Sequence, residues 1–232
     1  LSGLVGSEMC IRDSLKTGPE EDWAPLRNFI ENQIYADSQA WRAGGPSTYN
    51  IRENTHLSGL LDYWSVLALV RAKDQLRKNF YLSLQPRNGK TGWEIYPWDL
   101  DLTMGCSYLD ETTTMCVQPE SELTAFWGQM SPEAGVGYPT DGTYNLLFSM
   151  AMFDEHVKQA FVDRICRGLA SPWWTDGVPR LVDAIYETIE EPVSRDEADQ
   201  NDDQDAFRSA LTDVKQFPAL RADVLRAELQ CP

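Results

Sequence analysis

Four residues carry oxygen donors at spacings that suit a cation and a transferable proton. Asp74 and Asn79 stand in KDQLRKN, and Asp99 and Asp101 stand in PWDLDL. Two carboxylates two positions apart on a strand share one face and repel each other, so a cation or a hydrogen-bond network is needed to hold them. Carboxylates and an amide oxygen are hard donors of the kind Mg²⁺ or Mn²⁺ takes, and a separate carboxylate can accept a hydroxyl proton. An Asp and an Asn five residues apart, followed by a β-hairpin and a further Asp, is the order in which phosphoryl-transfer sites set out a base and two metal ligands. Two other readings stay open on the residues alone. Asp99 and Asp101 would also serve as a DxD pair holding the metal of a nucleotide-sugar diphosphate in a glycosyltransferase, or as loop acids bonded to backbone amides.

The hairpin is what must deliver these groups to one place. Phe80 to Leu84 (FYLSL) and Trp93 to Trp98 (WEIYPW) read as strands joined across an Asn88-Gly89 turn signal. A turn centred near Gly89 predicts that Asn79 faces Asp99, with Asp101 as the partner after a slip of two. Before the hairpin, HLSGLLDYWSVLALVRAK (His56 to about Lys73) is apolar on most faces and reads as a buried helix, with Asn54 or Thr55 as its N-cap. Glu20 to Tyr35 reads as an amphipathic helix with Trp23, Leu26, Phe29, Ile30 and Ile34 at helical spacing. The region after Gly105, to about Pro139, reads as irregular. Helices are expected at Tyr144 to Met152, His156 to Leu169 and Val178 to Glu190, and Phe207 to Leu229 reads as one helix or as two interrupted at Pro218. The acidic run Arg195 to Asp205 reads as a solvated loop. Trp93, Tyr96 and Trp98 read as core, His56 and His156 as structural residues at helix beginnings, and Lys73 and Lys78 as exposed flanks of the site.

With 36 acidic against 20 basic residues and a net charge of −16, the 232-residue chain is repelled by nucleic acid and by anionic membranes. No stretch approaches the ~20 apolar residues of a membrane span. Cys106, Cys116, Cys166 and Cys231 lack metal-binding spacing. Cys106 and Cys116 bracket a short polar loop and could form a disulfide suited to an oxidising compartment, with free thiols as the alternative. LVGSEMCIRDS (Leu4 to Ser14) resembles translated sequencing-adapter read-through. Residues 1–14 are therefore expected to be a non-native leader, and 15–232 a partial domain lacking most of an N-terminal lobe.

LLDYWSVLALVRAKDQLRKNFYLSL, PWDLDLTMG, YNLLFSMAMFDEHVKQAFVDRICRGLAS and VKQFPALRADVLRAEL together resemble the CotH kinase family, the spore coat protein H type of secreted atypical protein kinases. The resemblance implies an α+β fold, the mainly helical C-terminal lobe of an atypical protein-kinase-like fold with the β-hairpin bearing the site. It implies ATP- and Mg²⁺- or Mn²⁺-dependent phosphorylation of protein serine or threonine, by a parent protein that is extracellular or at the cell surface. Carried onto this chain, it makes Asp74 the catalytic aspartate, Asn79 and Asp99 metal ligands, and Asp101 a residue that shares or takes that metal role. RAKD stands where many kinases have HRD, and no glycine-rich phosphate loop or strand lysine precedes residue 56. A noncatalytic secreted adhesion module on the same scaffold is the alternative from another class.

Overall fold

A computed structural model describes residues 23–42, 49–72, 80–100, 103–104, 106–108, 114–116, 125, 145–200 and 204–232. Within these the chain is mostly helical, with two small antiparallel sheets, which makes it α+β. It divides into two compact units. The first draws on 1–67, 73–101 and 126–164, the second on 68–72, 102–125 and 165–232.

The first unit opens with α1 (Trp23–Arg27), a π-helical stretch (Asn28–Ile34) and α2 (Tyr35–Arg42), one continuous helical run where an amphipathic helix is expected. Phe29 and Ile34 are its buried contacts. α3 (Tyr49–Asn54) is held onto it by Asp37, a buried carboxylate. Asp37 Oδ1 accepts from the Asn50 backbone N–H at 3.2 Å and the Asn50 side chain at 2.9 Å, and Oδ2 accepts from Ile51 N–H at 3.2 Å. Burial pushes the Asp37 carboxyl above its ordinary value, and these three donors partly offset the shift. α4 (Leu57–Val70) follows and is the buried helix expected from its composition. Its Trp64 meets Phe148 edge-on at 5.2 Å, and Phe148 meets Phe161 at 5.7 Å. Those partners come from α5 (Leu146–Met152), buried along its whole length, and from α6 (Glu155–Ala170). Asn145 caps α5 through its side chain, which accepts from Phe148 N–H at 2.9 Å.

β1 (Phe80–Arg87) and β2 (Lys90–Pro97) form the expected hairpin, longer at the turn than the sequence pattern suggests. Its register corrects the sequence reading. Asn88 and Gly89 both have positive φ, 53° and 77°, so the loop has two residues and closes on Arg87 opposite Lys90. A two-residue loop with both central residues left-handed matches the twist of the strands, whereas a turn centred on Gly89 would need a third loop residue. The pairing therefore ends with Phe80 opposite Pro97, and the register that would set Asn79 against Asp99 is displaced by one.

The hairpin is anchored on the start of α4. His56 N–H donates to Trp93 O at 3.0 Å, and His56 Nε2 bonds Gln85 O at 2.9 Å, so His56 is structural as read. Lys90 Nζ donates to Arg52 O and Thr55 O. A Cβ on Gly92 would come within 3.1 Å of the Thr55 backbone, which explains glycine at this crossing. Trp93 is buried and stacks on Phe29 at 5.5 Å.

In the second unit β3 (Cys106–Tyr108) and β4 (Thr114–Cys116) pair with Cys106 opposite Cys116; their side chains, and with them the choice between a disulfide and free thiols there, lie outside the described residues. The disulfide among the described residues joins Cys166 on α6 to Cys231, a pairing the spacing of the cysteines does not reveal. A π-helical stretch (Trp173–Gly177) leads into α7 (Val178–Gln200), and α8 (Gln204–Leu229) closes the chain. One sequence expectation is corrected here, and an open choice at Pro218 is decided in favour of one helix. α7 runs through Pro192 to Gln200, so the start of the acidic run is helical; charged composition alone does not separate a helix from a loop, since either can be solvated. α8 continues through Pro218, whose ring removes one backbone donor, while Trp174 Nε1 donates to Pro218 O at 2.9 Å.

Candidate functional site

Of the four expected site residues the structure describes Asp99; Asp74, Asn79 and Asp101, with Lys73 and Lys78, lie outside the described residues. Asp99 follows β2 by two positions. It is exposed and holds φ of 57°, a left-handed backbone that Asp tolerates because its short side chain bonds locally. The strand thus ends at Pro97, and Asp99 is not constrained by its alternation.

The aromatic residues next to Asp99 differ from expectation. Trp93 is core, but Tyr96 is 43% and Trp98 60% exposed. Tyr81 and Tyr96 are cross-strand partners on one face of the hairpin, and Tyr81 meets Trp98 edge-on at 5.9 Å. The opposite face carries Trp93 into the core. A two-stranded sheet buries one face only, so the aromatics of the other face stay in solvent whatever their strand preference. Tyr96 donates its hydroxyl to Glu94 Oε2 at 2.6 Å, and this bond raises the Tyr96 pKa. Glu94 also pairs with Arg87 at 3.1 Å.

The residues leading toward Asp74 are fixed by groups that sequence reasoning passed over. α4 ends at Val70, and Arg71 turns the chain with φ of 52°. The last carbonyls of a helix lack intrahelical partners. Here Ala68 O accepts from both Arg221 Nε at 3.0 Å and Nη2 at 2.7 Å, and Val70 O accepts from Met104 N–H at 2.7 Å. Arg221 sits on α8 and is 1% exposed. Burial pulls its pKa down to about 10, with Glu228 acting to raise it and Arg71 to lower it. On the same helix Arg226 Nη2 donates to Leu169 O near the end of α6 at 2.8 Å, and the Glu228 carboxylate accepts from Ala125 N–H. The signal in the sequence was an arginine four residues after Phe217 and four before Leu225, on the buried stripe of an amphipathic helix.

Among the described residues there is no group of three or more His, Cys, Asp and Glu side chains that could hold a metal ion, and no helix is long and apolar enough to cross a membrane. The metal donor set read from sequence, the Asn79 amide with the Asp99 and Asp101 carboxylates, is of the hard-oxygen type that Mg²⁺ or Mn²⁺ takes.

A mainly helical α+β chain, with one hairpin leading from a buried helix into an acidic turn, is the class these observations define. The profile of the family described as CotH kinase protein matches residues 11–225, and the chain belongs to that family. Comparison with curated proteins gives no match.

Proposed function

We propose that this chain carries the catalytic lobe of a CotH-type kinase that transfers the terminal phosphoryl group of ATP to a serine or threonine hydroxyl of a protein. Family membership supports the reaction class. The observation that carries the assignment of residues is the mouth of the hairpin. Phe80 pairs with Pro97, so the segment containing Asn79 leads in, and the segment containing Asp99 leads out, at one end. Chain connectivity then keeps the Cα atoms of Asn79 and Asp99 within about 17 Å, given ~3.8 Å per residue and ~5.5 Å across a pair. That is a span two side chains bridge through a metal-bound nucleotide.

In this reading Asp74 orients the acceptor hydroxyl and takes its proton as the oxygen–phosphorus bond forms and the bond to the ADP leaving oxygen breaks. Asn79, Asp99 and Asp101 would hold Mg²⁺ or Mn²⁺, which when bound neutralises charge developing on the phosphate oxygens. The turn at Asp99 presents its carboxylate to solvent, where the nucleotide arrives. A nucleotide-sugar enzyme draws on a parallel βαβ sheet, and both sheets among the described residues are antiparallel. The test is incorporation of labelled phosphate from ATP with Mg²⁺ or Mn²⁺ in wild type, Asp74→Asn and Asp99→Ala. Loss of about 10²-fold or more in both variants is expected. Equal incorporation in Asp74→Asn and wild type would overturn the assignment of the base.

A further inference from the structure

We propose that α7 is a self-association surface: two copies of the chain pair through this helix, antiparallel about a twofold axis at Ile185. The inference is independent of the reaction proposed above and concerns the second unit alone.

The argument begins from the width of the apolar arc on α7. Val182, Tyr186 and Val193 are half-buried, and Lys215 Nζ on α8 meets Asp183 at 2.6 Å, so this side of the helix packs on α8. With 3.6 residues per turn, the apolar arc continues beyond that contact. Leu181, Ile185 and Ile189 lie one row further round and are 47%, 51% and 38% exposed, with Pro192 exposed on the same row. An arc of about 100° serves one neighbour, and α7 carries one wide enough for a second. Single exposed apolar side chains are ordinary, whereas an aligned row over three turns marks an interaction surface.

The row itself selects the partner. Its spacing is three, four, four and three from Val178 through Leu181, Ile185 and Ile189 to Pro192. The pattern is the same from either end, so in an antiparallel pair Val178 meets Pro192, Leu181 meets Ile189 and Ile185 meets its own copy. Self-complementarity of this kind is what an isologous twofold contact requires. Mixed three- and four-residue spacing also suits helix axes that cross at about 20°. The charges agree with this register. Arg180, Ala184, Glu187 and Glu191 follow one another along the edge of the row away from α8. In the antiparallel pair Arg180 of one copy comes opposite Glu191 of the other, twice by symmetry, and Glu187 comes opposite Ala184. A parallel pair would set Arg180 on Arg180 and Glu187 on Glu187, and like charges across an interface oppose association. Glu191 accepts from Arg195 on its own helix through Oε1, which leaves Oε2 for an incoming Arg180. Exposed ion pairs add little affinity and mainly fix register. Three turns of one helix fall short of the ~800 Å² per partner of a standard interface, so association is expected in the micromolar range.

The experiment is sedimentation equilibrium of the full chain from about 1 to about 200 μM, a range that brackets a micromolar dissociation constant. The wild-type mass should rise from monomer toward dimer. Ile185→Asp, at an exposed position, should keep its circular dichroism and stay monomeric. Arg180→Glu should weaken association about fivefold or more, and Arg180→Glu combined with Glu191→Arg, which has the wild-type net charge, should restore it. Oxidative cross-linking reads the orientation. Ile185→Cys should bridge 185 to 185, identified by peptide mass, and a mixture of Leu181→Cys and Ile189→Cys should bridge 181 to 189. A wild type that is monomeric at about 200 μM overturns the proposal, and another protein then covers the row. Association that Ile185→Asp leaves unchanged also overturns it. Bridging of 181 to 181 in preference to 181 to 189, or a charge swap no tighter than Arg180→Glu alone, overturns the antiparallel register.

Discussion

Replacing Cys231 by serine opens the Cys166–Cys231 disulfide and should destabilise the chain by about 4 kcal/mol. The two cysteines are 65 residues apart. In the chain-entropy account, a closed loop of that length removes about 14 cal/mol/K from the unfolded ensemble, or about 4 kcal/mol at 25 °C. The bond also secures the end of α8, whose Arg221, Arg226 and Glu228 hold Ala68, Leu169 and Ala125. For one cooperative transition of 232 residues, with unfolding entropy of ~2.1 cal/mol/K per residue, the melting temperature should drop by about 9 °C. A larger drop is expected if the second unit melts separately. The assay is urea unfolding of wild type and Cys231→Ser, each with and without reductant, followed by far-UV circular dichroism. Reductant should shift the wild type toward the variant and leave the variant's transition nearly in place. A variant within about 1 kcal/mol of the wild type would refute the loop-entropy argument, and an equal response of both proteins to reductant would show that another bridge dominates.

Phe148→Ala should cost about 3–5 kcal/mol in chemical denaturation, because the ring is buried between Trp64 and Phe161. Gly168→Ala places a Cβ at 2.9 Å from Leu69 Cδ1, a side-chain end that can shift, and Ala is the better helix former, so a net change within about 1 kcal/mol is expected, with a coupling to Leu69→Ala in a double-mutant cycle. Asp37→Asn tests the raised carboxyl pKa. The folded wild type keeps that proton to a higher pH than the unfolded chain, so wild-type stability relative to Asp37→Asn should fall as pH rises from the ordinary value of 3.8 through the folded value, as measured by urea midpoints across that window. An unchanged difference would refute the burial argument. Gly89→Val should weaken the hairpin by about 1–2 kcal/mol, since φ of 77° suits glycine, and Val at this turn should also loosen amide protection of β1 and β2.

Much of the architecture was legible in the sequence because it follows from local pattern. The apolar run from Leu57 to Val70 made α4, the Asn88-Gly89 pair made the hairpin, and the spacing of apolar residues made α5 and α6. The register of the hairpin was misread by one because it depends on whether the loop holds two residues or three, which the left-handed conformations of Asn88 and Gly89 decide. Tyr96 and Trp98 were misread as core because strand preference says nothing about which face of a two-stranded sheet is covered. α7 and α8 run through Pro192 and Pro218, where a rule about one residue yields to the packing and hydrogen bonding of the whole helix.

The sequence by itself determined the family and the α+β class, since residue type and short spacing are sufficient for these, and it is the basis on which Asp74, Asn79, Asp99 and Asp101 are proposed as the site. The tertiary structure alone decided that Cys166 joins Cys231, that Asp99 lies in an exposed left-handed turn and that Arg221 grips Ala68 from 153 residues away. Such pairings depend on which chain segments approach in space. Pattern along a chain records the surroundings of a residue only out to about one helical turn or one strand pair.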